Sequence, residues 1–377
     1  MNSSTTGKIR VGVIFGGRSG EHEVSLVSAT SIMKALNPEK YDVVPVGITK
    51  KGAWLVGVKP DAMLEDKTQQ GQGCIPFSGE SKANLNCDPA NKGLILVDKP
   101  MHQNRVELDI LFPVVHGTYG EDGTLQGLLE QADMPYVGCG VLASAAGMDK
   151  TIAKKLFRDA GLAVAPFKEV LRSEWRNHQS EVIAVIEKEF PYPCFVKPVN
   201  SGSSVGISKA KNREQLIKAM DDAAKFDRKI LIESYVNGRE IEVSVLGNDN
   251  PIASIPGEIV PCNEFYDYSA KYIDDRSELK IPAELSKDIS DEIRNLAVKA
   301  YRALDCAGMA RVDFFLERGT NRVIINEINT IPGFTKISMY PKLWEATGIS
   351  YSELCDRLID LAIERYRDKQ ESLAAVI

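Results

Sequence analysis

Residues 308–339 read GMARVDFFLERGTNRVIINEINTIPGFTKISM. Two apolar runs, ARVDFFL and RVIINEI, flank the polar turn ERGTN, a pattern that predicts a β-hairpin with Gly319 at the bend. Side chains alternate between faces along a strand, so Arg311 and Asp313 share one face, as do Glu327 and Asn329. If 313 pairs with 327, then 311 pairs with 329, and the loop holds an odd number of residues centred on Thr320. That register collects two carboxylates, an amide oxygen and a guanidinium in one patch. Two carboxylates buried together are costly unless a cation sits between them. An oxygen donor set without His or Cys favours Mg²⁺ or Mn²⁺ over zinc. A hairpin with one solvated polar face is the alternative. The NEIN run between apolar residues, with Asp and Arg at matching parity across the turn, points instead to a metal–phosphate site.

The chain around this hairpin has 377 residues, too long for one core and suited to two or three domains. Its hydrophobic share of 44% and charged share of 26% are those of a soluble globular protein. A net charge of −6 argues against a nucleic-acid partner. No apolar run approaches the roughly 18 residues of a membrane span. The opening MNSSTTGKIR lacks the apolar core of a signal peptide, so a cytoplasmic location is expected. Seven cysteines without a CxxC pair fit free thiols in a reducing compartment, and His22, His102, His116 and His178 show no zinc-ligand spacing.

KIRVGVIFGG, EVSLVSATSIMKAL and YDVVPVGI predict a strand, a helix and a strand, the start of an open parallel sheet. The turn between them, GGRSGEHEVS, lacks dinucleotide-binding spacing. Glu21 falls at a helix N-terminus, where it could cap the helix or receive a substrate ammonium; both roles stay open. Residues 51–107 read as a hairpin or long excursion with no assigned function. LDILFPVVHG is another buried strand, and its His116, with Glu121 in the following glycine loop, faces the same mouth as Glu21. PYVGCG reads as the last strand of a first domain. ASAAGMDKTIAKKLFRDAGL reads as one helix carrying Lys150 and closed by Gly161, and 173–190 as a polar helix.

YPCFVKPVNSGSSVGISKA predicts strand, loop and strand, with Lys197 closing the first strand. Serial Gly and Ser leave backbone N–H groups free to wrap phosphate oxygens, although no Walker A lysine follows. KILIESYVNGREIEVSVLG predicts two strands joined at Asn237-Gly238, a hinge between two small sheets. There Glu233 and the Val236 backbone could meet an adenine edge, with Glu240 near a ribose; exposed strand-end acids are the bland alternative. The loop 257–282, dense in Tyr, Lys and Asp, reads as an ordered lid. A helix over SKDISDEIRNLAVKAYRAL precedes the hairpin, and ISYSELCDRLIDLAIERYRDK is a final amphipathic helix.

GGRSGEHEVSL, HGTYGEDGTLQGLLE, GMDK, FVKP-NSGSSVG, EFYDYSAKY, GMARVDFF and NEINTIPGFTKISM occur in that order. Together they resemble the ATP-grasp superfamily and, more narrowly, the D-alanine–D-alanine ligases, over the chain from Lys8 to the last helix. The resemblance implies an α/β protein of three α/β domains. These would be a parallel-sheet N-terminal substrate domain (1–138), a central ATP-grasp subdomain (139–235) and a C-terminal one carrying the metal site and lid (236–377). By motif, Lys150 and Lys197 resemble the phosphate lysines, and Glu233, Val236 and Glu240 the adenine and ribose contacts. Ser234 stands where many relatives carry Lys or Glu, which leaves that adenine contact to the backbone. Asp313, Glu327 and Asn329 resemble the ligands of two Mg²⁺ ions, with Mn²⁺ as a substitute.

Glu21 resembles the group holding the first substrate's ammonium, joined by Ser203 and Tyr272 in closing the lid. Arg311 and the Gly333 backbone resemble the oxyanion site. Lys271 and Ser338 resemble the contacts to the second carboxylate, and His116 is expected to line the substrate site. The implied reaction uses ATP to join two D-alanines through an acyl phosphate, with small-molecule substrates, no nucleic acid or membrane partner, and a homodimeric state. A depsipeptide ligase, an ATP-grasp carboxylase subunit and an inactive nucleotide-binding module are the competing readings. The last would have lost a metal ligand or phosphate lysine, and none is missing.

Overall fold

The computed structural model describes residues 7–65, 81–88, 93–97, 99–100, 104–203, 205–260 and 278–374. Three sheets organise them. The first contains β1 (Ile9–Gly16), β2 (Tyr41–Ile48), β3 (Trp54–Val56), β4 (Ser81–Leu85), β5 (Leu94–Leu96), β6 (Arg105–Val106) and β7 (Ile110–Pro113). Their order is β6-β5-β4-β3-β2-β1-β7, and only β2, β1 and β7 run parallel. The sheet is therefore mixed, not wholly parallel, because the 51–107 excursion returns as short antiparallel strands on its far edge. Within β1, Val11, Val13 and Phe15 join one core and Ile14 the opposite one, the sign of a strand covered on both faces. Helix α1 (His22–Ala35) packs Leu26, Ala29 and Ile32 on the first face; α2 (Pro60–Glu65) lies beside it. On the other face α3 (Thr124–Gln131) seats Leu125 and Leu129. PYVGCG adds only a single bridge between Tyr136 and Leu111.

The expected helix through GMDK is two helices, α4 (Val141–Met148) and α5 (Lys150–Asp159). Asp149 breaks the run, since its extended backbone (ψ 97°) lets its side chain accept from the Thr151 and Ile152 N–H groups as an N-cap. The second sheet is antiparallel: β8 (Phe167–Leu171), β9 (Cys194–Pro198), β10 (Ser208–Ala210) and β11 (Lys229–Ser234), ordered β10-β9-β11-β8. It is covered by α6 (Arg172–Asn177), α7 (Gln179–Glu189) and α8 (Arg213–Phe226). The polar stretch 173–190 is thus split at His178.

The third sheet is also antiparallel. It contains β12 (Gly238–Gly247), β13 (Ile252–Ala253), β14 (Gly257–Val260), β15 (Glu278–Lys280), β16 (Gly308–Glu317) and β17 (Val323–Asn329). Its order is β15-β14-β12-β16-β17, with β13 on β12. As expected, Asn237-Gly238 is the crossing from the second sheet to the third. Helix α9 (Lys287–Ala303) covers this sheet, and α10 (Met339–Thr347) and α11 (Tyr351–Ala374) follow the hairpin.

Two helix groups pack across the boundaries read from the sequence. Ala143 and Ala146 of α4, and Ala153 and Phe157 of α5, share the core of the third sheet. Leu354, Leu358, Ile359 and Ala362 of α11 share a core with β1 of the first. The C-terminal helix therefore fastens the first sheet to the third, and Tyr340 and Trp344 of α10 lie in the same core. Removing most of one side chain from this seam leaves a cavity. Leu358→Ala, at a fully buried position, is expected to cost about 2–5 kcal/mol in chemical denaturation. A loss within about 0.5 kcal/mol, typical of surface positions, would contradict the packing of α11 on the first sheet.

Candidate active site

The hairpin does pair Asp313 with Glu327, and Arg311 accordingly stands opposite Asn329. One detail differs. Phe314 pairs with Ile325, so Asn326 is an inserted residue and β17 bulges there. The connection therefore spans 317–322 instead of an odd loop centred on Thr320, with Gly319 at φ 85° in the bend. On the other side of β16, Asp313 pairs with Glu242 of β12, and Arg311 with Ser244. Directly paired residues of an antiparallel sheet project from the same face. Glu242, Asp313 and Glu327 thus form one row of carboxylates across three strands, with Ser244, Arg311 and Asn329 in the next row.

Arg311 answers part of that charge. Its Nε and Nη2 donate to the two oxygens of Asp313, both at 2.7 Å, and its Nε lies 3.0 Å from Glu242 Oε2. Asn329 Nδ2 donates to Asp313 Oδ2 at 3.0 Å. Burial disfavours the Arg311 charge, but the fields of Asp313, Glu242 and Glu327 more than restore it. Among the described residues no three His, Cys, Asp or Glu side chains form an ion cage by themselves. The donor set nevertheless fits Mg²⁺ or Mn²⁺: Mg²⁺ is usually held by one or two carboxylates with substrate phosphates completing the shell. Asp313, Glu327 and Asn329 offer those oxygens on one face.

A cavity of about 1070 Å³ opens beside the hairpin. It is lined by Glu21, His116, Lys150, Ser203, Arg311, Glu327, Asn329, Gly333 and Ser338, among others. Glu21 begins α1, but its side chain makes no capping bond. Its Oε1 instead accepts from Ser203 Oγ across the cavity. The surrounding backbone is shaped around that carboxylate. A Cβ on Gly202 would run into Glu21 Oε2, and one on Gly117 would stand 2.6 Å from the same atom. Ser338 begins α10, and its Oγ accepts from the Thr335 N–H at 3.0 Å; a Cβ on Gly333 would meet that Oγ at 2.9 Å.

Lys150 donates to the Ser201 carbonyl at 2.6 Å, which ties the start of α5 to the Gly/Ser loop. Lys197 and Glu233 are deeper: Lys197 Nζ donates to Glu233 Oε2 at 2.6 Å, and Lys154 Nζ lies 2.5 Å from Oε1. Burial alone would push the Glu233 carboxyl up, but the two ammoniums hold it down at about 2. Its side chain is committed to the lysines. Glu240 stands on β12 opposite Ile259, and its charge, with those of Glu233 and Glu327, raises Lys197 against the effect of burial. Lys197, Glu233, Val236, Glu240 and Asp313 are not among the residues lining the cavity. Lys271 and Tyr272, and with them 261–277 of the expected lid, lie outside the described residues.

His116 serves as a strut. Its Nδ1 donates to the Ile331 carbonyl at 2.9 Å, which leaves Nε2 to accept from Ser28 Oγ at 3.1 Å. Burial holds its pKa low, in keeping with that neutral tautomer. Ser28 in turn accepts from the Phe334 N–H at 3.2 Å, so α1 and His116 together pin the loop after the hairpin.

The D-ala D-ala ligase N-terminus family matches residues 10–139, and the D-ala D-ala ligase C-terminus family matches residues 156–360. The chain belongs to the D-alanine–D-alanine ligase family. A D-alanine–D-alanine ligase of Natranaerobius thermophilus is 52% identical over 365 residues, 97% of this chain and 98% of that one. The structure of the D-alanine–D-alanine ligase from Coxiella burnetii superposes with a TM-score of 0.84 at 35% identity, covering 98% of this chain and 97% of that one. A D-Ala:D-Ser ligase from Enterococcus faecalis gives 0.83 at 35% identity, covering 94% and 99%.

Within this D-alanine–D-alanine ligase fold, the sequence reading passed over Glu242 and Lys154. Both were signalled by spacing: Glu242 keeps strand parity with Glu240, and Lys154 lies one helical turn after Lys150. It also placed Glu121 at the mouth without a role. Burial and the Glu21 charge push the Glu121 carboxyl up to about 8, against the N–H groups of Gly117 and Ile331 that bond it at 2.8 and 3.1 Å. Its folded pKa stands above its unfolded value, so its contribution is complete at low pH and is lost as pH rises through about 8. Glu121→Gln, which cannot ionise, should therefore gain stability relative to wild type between about pH 5 and 8. Thermal melts across that range check it, and a constant difference would show that Glu121 ionises normally.

Proposed function

We propose that the chain joins two D-alanines at the expense of ATP, through D-alanyl phosphate, to give D-alanyl-D-alanine, ADP and phosphate for peptidoglycan precursor synthesis. The supporting observation is the carboxylate row Glu242–Asp313–Glu327, which adjoins a cavity that also holds the Glu21–Ser203 pair and Lys150. In this reading Glu21 receives the ammonium of the first D-alanine and points its carboxylate towards the nucleotide. A carboxylate oxygen attacks the γ-phosphorus, and the bond to the β-phosphate oxygen breaks. Lys150 and Lys197 neutralise phosphate oxygens, while Glu233, Val236 and Glu240 flank the adenosine. Two Mg²⁺ ions, held by Asp313, Glu327 and Asn329 and replaceable by Mn²⁺, would neutralise the transferring phosphoryl group.

The amine of the second D-alanine, its carboxylate held by Lys271 and Ser338, then attacks the acyl carbon. Arg311 and the Gly333 N–H face the tetrahedral oxyanion. The bond to the phosphate oxygen breaks, and the departing phosphate takes up the proton that the attacking nitrogen loses. Tyr272 with Ser203 and Glu21 would keep water from the acyl phosphate. His116 contributes by holding Ile331 and so the loop carrying Gly333. Among the described residues no helix is long and apolar enough to cross a membrane, and five cysteines are free thiols. We assign the protein to the cytoplasm, as a homodimer acting on small molecules.

Incubation with ATP, Mg²⁺ and D-alanine tests the reading: the dipeptide mass and one phosphate per dipeptide are expected, and ATP hydrolysis without dipeptide would refute it. Glu327→Gln keeps shape and removes a charge at the phosphoryl site, so the folded variant should lose roughly 10²–10³ in rate. Near-normal turnover would remove the hairpin from the mechanism. In competition at equal D-alanine and D-lactate, the dipeptide should dominate at pH 7 and grow with pH as more amine is deprotonated. Predominance of the lactate product would place the protein among depsipeptide ligases.

A further inference from the structure

Lys154 is a buried cation that this mechanism leaves unused. It is 1% exposed, on α5, a helical turn beyond Lys150. Its ammonium pairs with Glu233 at 2.5 Å and donates to the carbonyl of Asn326 at 3.0 Å. Glu233 belongs to the second sheet and carries Lys197 on its other oxygen. Asn326 is the residue inserted in β17, the edge strand of the third sheet. A bulged residue drops out of the ladder with its neighbour, and its carbonyl is left to find another partner. The Lys154 ammonium supplies it as a charge-assisted hydrogen bond.

The position of that bulge matters because a strand shifted by one residue turns every side chain to the other face. Between Val323 and Ile325 the strand follows one register. From Glu327 onwards it follows another, the one that brings Glu327 and Asn329 beside Asp313 and Arg311. The backbone on the far side of the bulge is also held, since the Ile325 N–H donates to the Ala163 carbonyl at 2.9 Å just beyond α5. We propose that Lys154 is a positioning residue that locks the β17 bulge at Asn326 and, through the shared carboxylate of Glu233, sets the metal-facing hairpin and the phosphate-facing Lys197 in one fixed arrangement. The inference rests on the reading of the hairpin as the metal site.

The test is a Mn²⁺ titration of the full chain in saturating ADP, followed by the loss of the free-ion electron paramagnetic resonance signal. Activity is measured in parallel. Lys154→Met keeps the aliphatic stem and removes the ammonium. It should weaken Mn²⁺ binding by about tenfold or more, the scale of one charged hydrogen bond. The KM for D-alanine should stay within about twofold, because the Glu21 side of the cavity is untouched. A merely structural lysine would lower the melting temperature and leave Mn²⁺ affinity at the wild-type value, and that result overturns the proposal. Should Lys154→Met not fold, Lys154→Gln decides. With its amide still donating to Asn326, it should keep near-normal Mn²⁺ affinity while binding ADP more weakly. Loss of Mn²⁺ affinity despite the retained donor counts against the proposal. Wild-type protein that binds no Mn²⁺ with ADP would instead refute the metal reading itself.

Discussion

Three carboxylates side by side on neighbouring strands are the constraint from which the site follows. Unit charges about 5 Å apart repel by about 3 kcal/mol at the effective dielectric of a protein. Glu242, Asp313 and Glu327 stand in such a row, and Glu242 and Asp313 are buried. Arg311 offsets one charge and grips Asp313 with two hydrogen bonds. The row stays strongly negative beside a cavity with room for substrates, and the fields of Glu327 reach Lys154 and Lys197 beyond it. In the proposed reading, a surface so charged would receive cations together with the phosphates that accompany them. In the proposed reaction Arg311 has two duties, counter-ion to Asp313 and oxyanion donor. Asp313, with Glu327 and Asn329, would hold the divalent cation.

The surrounding fold holds that row in register with the rest of the cavity. His116 and Ser28 tie the first sheet to the loop after β17, α11 closes the same seam from behind, and Lys154 joins the second sheet to the bulge. Opposite the row, the Glu21 carboxylate crosses the cavity to Ser203, in space that two glycines keep clear. Groups proposed to bind substrates thus come together from three parts of the fold.

Much of this was legible in the sequence, because strand parity needs no tertiary information. Alternation put Arg311 with Asp313 and Glu327 with Asn329 on shared faces, so that pairing 313 with 327 places 311 opposite 329; the turn residues marked the loop around Ser203 and the crossing at Asn237-Gly238. The bulge was not legible: its position is decided by what neighbours Asn326, and Lys154 is more than a hundred residues away in sequence. The break at Asp149 was hidden because GMDKT continues helical periodicity across it, and only the N-capping geometry ends α4. PYVGCG looked like a strand because it is apolar, but it lies buried at the sheet edge and makes only one bridge. Glu233 was read as an adenine contact from its place at a strand end, and its pairing with Lys154 and Lys197 was not legible there. The roles of Lys271 and Tyr272 rest on motif alone.

The central claim is that a carboxylate oxygen of the first D-alanine is transferred with the γ-phosphoryl group. D-alanine labelled with ¹⁸O in both carboxylate oxygens, turned over with unlabelled ATP, tests it directly. Attack on phosphorus followed by displacement at the acyl carbon predicts one ¹⁸O in each phosphate released, read by mass spectrometry. Phosphate free of label, with dipeptide still formed, would mean that no acyl phosphate lies on the path and would contradict the account.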